Sequence, residues 1–299
     1  MSSAKLLTGE AQNDEDARAY IAQLAASAQR SEINTSFGSM VWHGWGQGRP
    51  LVLLHGGSGS WTHWIRTIPY FMHSRHVLAA DLPGLGDSPD PPQPHSADGL
   101  AQIVASALEQ LVPAQTEIDV VGFSFGGIIA GHFAAMNDSP VRKVVIVGSP
   151  PFGLGSTGPS SEVRAVDPAL DFEQAKELHR FNLELFMLAD ARGVDALSMR
   201  VHHDNLCRSR LRSRKIARAG TLQQALPRIR GQLYGIWGDA DVTAYPDLQS
   251  IRDLFSACKG QFDVLAGVGH WAAYEAAGEF NELLEQRLRE DRPEVSTKG

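Results

Sequence analysis

Apolar and polar positions along this chain follow two periods that take turns. Short β-branched and apolar runs at 51–54, 76–80, 117–121, 142–147, 233–237 and 262–265 read as buried strands. Between them, 64–74, 97–111 and 127–136 place apolar residues at helical spacing. Nearer the N-terminus, 14–30 reads as a helix, with Tyr20, Ile21, Leu24 and Ala28 on one face and Asn13 or Asp14 as its cap. Two further strands follow at 32–37 and 40–46. Strands alternating with helices predict an α/β fold, a mostly parallel eight-stranded sheet flanked by helices.

The pattern changes after residue 148. Residues 149–161 are rich in Gly, Pro and Ser, the composition of a connection. From 171 to 226 the period is purely helical, with no strand between the sixth and seventh strands of the sheet. The expected organisation is an N-terminal helical extension (1–30), a core in two pieces (31–150 and 227–299) and an inserted helical lid (151–226). A lid over a site excludes water and shapes its pocket.

Composition narrows the partners. A formal charge of −7 argues against nucleic acid. No run approaches the roughly eighteen apolar residues that a membrane span needs. The acidic, polar N-terminus has no apolar signal-peptide core. Two cysteines, Cys207 and Cys258, read as free thiols, so a cytoplasmic location is expected.

Chemistry concentrates at Gly122-Phe123-Ser124-Phe125-Gly126, between a strand and a helix. So tight a turn forces its serine into a strained, exposed conformation, and flanking glycines remove the side chains that would clash. A glycine-flanked turn serine is the bland alternative. A serine nucleophile needs a base, and the base needs an orienting acid. His270 follows a late strand behind Gly269 and precedes a C-terminal helix, which marks it as the base. Gly238-Asp239-Ala240-Asp241 offers two acids; Asp241 is preferred, while Asp239 suits a turn cap.

The loop His55-Gly56-Gly57-Ser58-Gly59-Ser60 follows the strand at 51–54 and brings backbone N–H groups close to a ligand. No phosphate-loop pattern is present, and no cofactor or metal is expected. His202-His203-Asp204 reads as solvated lid surface rather than a metal site, because neighbours on a helix point to different sides. The run Arg208, Arg210, Arg212, Arg214, Lys215, Arg218 is a charged helix face that can turn one or two cations toward a substrate. Trp61, Trp64 and Trp271 fit either an aromatic pocket or core packing.

These motifs, together with Asp81-Leu82-Pro83-Gly84-Leu85-Gly86-Asp87-Ser88, resemble the α/β-hydrolase fold superfamily over nearly the whole chain. His55 to Trp61, Ser124-Phe125-Gly126-Gly127 and Gly269-His270-Trp271-Ala272 resemble the meta-cleavage product hydrolases in particular, which split a carbon–carbon bond in vinylogous 1,5-diketones. The resemblance implies a Ser124–Asp241–His270 triad and an oxyanion hole at the Gly57 and Phe125 N–H groups. It also implies a lid arginine that meets the substrate carboxylate, with Arg212 first and Arg208 second. Ser58, Trp61 and Trp271 are the other expected substrate contacts. Members are often dimers or larger, so a homo-oligomer and a small-molecule substrate are expected. This chain carries Phe123 where members usually carry Asn. Ester hydrolases and cofactor-free perhydrolases share the Gly-Phe-Ser-x-Gly-Gly turn and stay open as alternatives. A small-molecule-binding protein without turnover is the alternative of another class.

Overall fold

The computed structural model describes residues 11–155, 162–167 and 169–289. Eight strands form one sheet: β1 (Gln29–Thr35), β2 (Gly38–Trp45), β3 (Pro50–Leu54), β4 (His76–Asp81), β5 (Ile118–Phe123), β6 (Val141–Val147), β7 (Gln232–Gly238) and β8 (Gln261–Leu265). The spatial order is β1-β2-β4-β3-β5-β6-β7-β8. Strand β2 runs antiparallel to β1 and β4, and every other pairing is parallel. Among the described residues eleven α-helices accompany it: α1 (Asp14–Ala26), α2 (Ile68–Phe71), α3 (Ala97–Leu111), α4 (Phe125–Ala134), α5 (Phe172–Asn182), α6 (Ala196–Cys207), α7 (Ser213–Ala217), α8 (Leu222–Ala225), α9 (Leu248–Ala257), α10 (Ala272–Glu275) and α11 (Ala277–Arg289).

Alternation along the strands sends neighbours to opposite faces. Val52, Leu54, Val120, Val144 and Ile146 join the α3, α4 and α9 side chains in one apolar cluster. Leu51, Leu53, Val121, Val145 and Val147 join a second cluster with α1, α11 and the helices between β6 and β7. Because β3 and β5 to β8 are parallel, the loops that leave their carboxyl ends gather on one edge of the sheet.

Two expected elements change shape. The helix expected over 14–30 stops at Ala26, because Gln29 pairs with Gly44 and the chain is already a strand. Its end is pinned by Trp45 Nε1, which donates to the Leu24 carbonyl at 3.1 Å. The helix expected over 64–74 divides into a 3₁₀ turn (Trp61–Trp64) and α2. Pro69 has no N–H for the Ile65 carbonyl and its ring clashes there, so a continuous helix cannot pass. Helix α1 packs on the same chain: Tyr20 donates to the Ile65 carbonyl, and Arg200 of α6 pairs with Asp14 at 3.4 Å. The expected connection at 149–161 is described only to residue 155, and residues 156–161 lie outside the described set.

Glycine is required where α4 leaves β5. A Cβ on Gly126 would stand 2.2 Å from the Leu54 carbonyl oxygen, and one on Gly122 would stand 2.4 Å from the Gly126 carbonyl oxygen. Both neighbours are backbone and cannot swing away. Gly126→Ala should therefore destabilise the protein by about 3 kcal/mol or more, at or beyond the usual range for overpacking. Gly278 of α11 has nothing within 4 Å of its added Cβ. Gly278→Ala should stabilise by roughly 0.5–1 kcal/mol through helix propensity. Urea unfolding of the two variants beside the parent checks both signs.

Candidate active site

Ser124 sits between β5 and α4 at φ 50° and ψ −115°, in the region that L-residues rarely adopt. Its backbone is held from below and beside. Its N–H donates to the Val147 carbonyl at 2.8 Å, and the Ser149 hydroxyl donates to its carbonyl at 2.6 Å. A conformation this costly persists only where the surroundings over-determine it. The Ser124 hydroxyl then lies 3.0 Å from His270 Nε2.

His270 follows β8 and is buried, as is Asp241 after β7. His270 Nδ1 lies 3.0 Å from both carboxylate oxygens of Asp241. Asp241 Oδ1 also accepts from the Thr243 N–H at 2.8 Å and the Thr243 hydroxyl at 2.7 Å. Asp239 turns elsewhere and accepts the Gly267 N–H at 2.7 Å. Thr243 escaped sequence reasoning, although a threonine two residues after an acid on a turn is the pattern that folds back onto it.

A cavity of about 420 Å³ opens over Ser124, floored by Gly57, Ser58, His63 and Phe125. The helical insertion covers it with Phe186 and Met187 from the π-helical end of α5, His202 of α6, and Ser213 and Arg214 at α7. Among the described residues, the Gly57 and Phe125 N–H groups make no other hydrogen bond, whereas the Gly56 N–H donates to His63 Nδ1 at 3.2 Å. Gly57 and Phe125 approach each other closely, since a Cβ on Gly57 would lie 3.7 Å from Phe125 Cβ. Two free N–H groups beside a half-buried hydroxyl can stabilise an oxygen that gains negative charge.

Several expected contacts fall elsewhere. Trp61 is buried against His43 and Trp45, and Trp271 stacks on Tyr274 at 4.2 Å; neither lines the cavity. Trp271 instead donates from Nε1 to the His63 carbonyl at 2.9 Å. Arg208 and Arg210 are tied to the core, pairing with Asp87 at 3.0 Å and Asp90 at 2.9 Å. Arg212 lines a separate groove with Arg210 and Lys215. The cations that line the Ser124 cavity are Arg214 and Arg164. Two residues separate Arg212 from Arg214, and positions two apart on a helix do not share a face. Burial, with Arg218 nearby, lowers the Arg214 pKa. Arg164 stacks on Phe181 at 3.7 Å, and its backbone N–H and carbonyl are both bonded to the buried Asn182 side chain at 2.9 Å.

The histidines of the insertion also depart from the solvated surface expected of them. His203 is buried, and His179 Nε2 lies 2.9 Å from His203 Nδ1. His202 lines the cavity, with its Nε2 buried and unpartnered. Among the described residues one group of ligand-type atoms does come together, at His43, Asp81 and Asp87. Asp81 there accepts the Trp61 and Asp87 N–H groups at 2.9 Å, and Asp87 pairs with Arg208, which gives the group a bracing role.

Burial lowers His202 to about 3, and burial followed by the charge of His203 lowers His179 to about 4. Both imidazoles are neutral when folded, while in the unfolded chain they titrate near pH ~6.5. Below that pH the unfolded chain gains protons that the folded chain cannot accept. Their contribution is therefore full above about pH 6.5 and declines as pH falls toward 4. Urea midpoints measured from pH 7.5 to 4.5 should drop over this window, and His202→Leu should flatten the slope.

Residues 49–227 match the family model described as the alpha/beta hydrolase fold. The 2-hydroxy-6-oxononadienedioate/2-hydroxy-6-oxononatrienedioate hydrolase of Escherichia coli (strain K12) is 29% identical over 80% of this chain and 87% of its own length. A pimeloyl-[acyl-carrier protein] methyl ester esterase of Vibrio cholerae is 26% identical over 82% of this chain and 90% of its own length. Shorter matches, 31–36% identical, span only 39–59% of the length of four other relatives. A meta-cleavage product hydrolase structure from Pseudomonas fluorescens IP01 superposes with a TM-score of 0.70 at 22% identity, over 86% of this chain and 97% of that one. With a family model matched over more than half of its length, and a mostly parallel eight-stranded sheet, the chain belongs to the α/β-hydrolase fold family.

Proposed function

We propose that the protein is a serine hydrolase of a small, aromatic-derived substrate, and that its reaction is carbon–carbon bond hydrolysis of a meta-cleavage product. The observation that carries the hydrolytic reading is the unbroken series Asp241–His270–Ser124, each contact 3.0 Å, beneath a covered cavity. A guanidinium on the covering side, Arg214, supports the carboxylate-bearing substrate class. The insertion over 151–226 serves as the lid. The free thiols Cys207 and Cys258 fit a cytoplasmic protein. Among the described residues, no helix is long and apolar enough to cross a membrane.

In this reading His270, oriented by Asp241, first shifts a proton within the bound dienol to make a ketone. It then takes the Ser124 proton as Oγ bonds to the second carbonyl carbon. The carbonyl oxygen gains charge against the Gly57 and Phe125 N–H groups. The carbon–carbon bond breaks, its electron pair passes to the dienolate, and the His270 proton follows it. Water, deprotonated by His270, attacks the acyl-enzyme and returns the proton to Ser124. Ester hydrolysis by the same groups is the second reading, favoured by Phe123, a buried ring at the position where meta-cleavage product hydrolases usually carry Asn. Only the leaving group differs.

Purified protein offered yellow ring-fission products beside simple aryl esters should show the higher kcat/KM on the dienoates. Ser124→Ala should retain less than about a tenth of turnover while staying folded. Asp241→Asn should cut kcat severely by favouring the wrong imidazole tautomer, and Asp239→Asn should be mild. Arg214→Ala should slow dienoate turnover about ten- to a hundredfold more than turnover of a neutral ester, the worth of a charge-assisted hydrogen bond. Equal losses on both substrates would favour the ester reading.

A further inference from the structure

His63 lies in the buried 3₁₀ turn Trp61–Trp64, and its ring is held on every side but one. The Gly56 N–H donates to Nδ1 at 3.2 Å. An amide N–H can only donate, so Nδ1 is unprotonated and the hydrogen of the neutral ring sits on Nε2. Burial, reinforced by the neighbouring His55, His202 and His270, holds the ring well below the ordinary histidine pKa, so no second proton joins it. Phe123 meets the ring edge-on at 5.5 Å, and Trp271 lies tilted against it at 5.2 Å. Room for the ring exists because residue 59 is glycine: a Cβ there would stand 2.4 Å from His63 Cε1.

The remaining edge belongs to the cavity. His63 lines it beside Gly57 and Ser124, and among the described residues no protein acceptor pairs with Nε2. Across the same cavity His202 contributes a buried, unpartnered Nε2 from the insertion. A rigid, neutral donor that the protein leaves unsatisfied next to the reacting serine is complementary to an acceptor on the ligand.

We infer that His63 is a positioning residue whose Nε2–H binds a second oxygen of the substrate, a keto or enolate oxygen additional to the carbonyl held at Gly57 and Phe125. The inference rests on the serine-hydrolase reading but not on which bond is cleaved. A neutral donor selects against analogues that lack the oxygen, because the N–H is then left bare. Where that oxygen gains charge, as a dienolate does, the bond strengthens in the transition state and the effect falls on kcat.

The test compares 4-nitrophenyl 4-oxopentanoate with 4-nitrophenyl hexanoate, together with a ring-fission dienoate, on the parent, His63→Phe and His63→Asn. The parent should prefer the oxo ester. His63→Phe should lose about ten- to a hundredfold more on the oxo ester and the dienoate than on the hexanoate, with the dienoate loss chiefly in kcat. His63→Asn, which keeps a donor, should recover part of the loss. Nitrogen-15 NMR of the parent should show the Nε2–H tautomer at His63. Equal losses on the oxo and plain esters by a folded His63→Phe protein, or an Nδ1–H tautomer, would overturn the inference. Fluorophosphonate labelling of Ser124 separates the two levels: its failure sinks the serine-hydrolase reading, while the tautomer still decides the state of His63.

Discussion

A single strained residue organises the catalytic edge of this molecule. Ser124 holds φ at 50° where the sheet hands over to α4, and everything within reach is arranged to keep it there. Gly122, Gly126 and Gly127 leave no space for a Cβ, the last because Ser149 Oγ would lie 1.8 Å from it. Ser149 and Val147 then hold the backbone by hydrogen bonds from β6 and its loop. The strain is local and the restraint is tertiary, drawn from β3, β5 and β6 together. Aiming the hydroxyl outward and freeing the Phe125 N–H are two results of the same turn.

The insertion between β6 and β7 is fastened at points that also define the cavity. Gly84 accepts the Arg210 and Leu211 N–H groups, and Asp87 and Asp90 hold Arg208 and Arg210. On the other side Met187 accepts the Trp271 N–H at 2.7 Å, and Glu275 accepts from Asp190 and Gly269. The second attachment ties the π-helical end of α5 to the loop that carries His270, where Phe186 packs on the imidazole at 5.2 Å. The cavity cover and the His270 ring are thereby fixed by one set of contacts. Phe123 belongs to the same assembly, wedged between His63 and His270 at ring distances of 5.5 and 4.9 Å. It supports both rings by packing.

Much of this was legible in the chain because it depends on local rules. A β-branched run, a glycine-flanked serine and an apolar helix specify the turn at Ser124 without reference to distant residues. Parallel strands put their carboxyl ends on one edge, so Asp241 and His270, each just past a strand, had to approach Ser124 once the sheet formed. Helix α3 begins and ends where its period and its Ser96 cap require.

What the sequence could not decide depends on rotation and packing between distant segments. Whether Arg212 or Arg214 meets the cavity turns on how α7 sits over Gly57, and a shift of two residues on a short helix reverses the answer. Trp61 and Trp271 are apolar rings beside catalytic loops in either arrangement; only the tertiary structure sends them into the core. The proton of His63 is assigned to Nε2 only by the Gly56 N–H that donates to Nδ1. His179 and His203 become buried only because α5 and α6 pack together. Backbone turns and strand ends are set by neighbours in sequence, whereas the direction of a side chain on a covering helix is set by whatever that helix lies against.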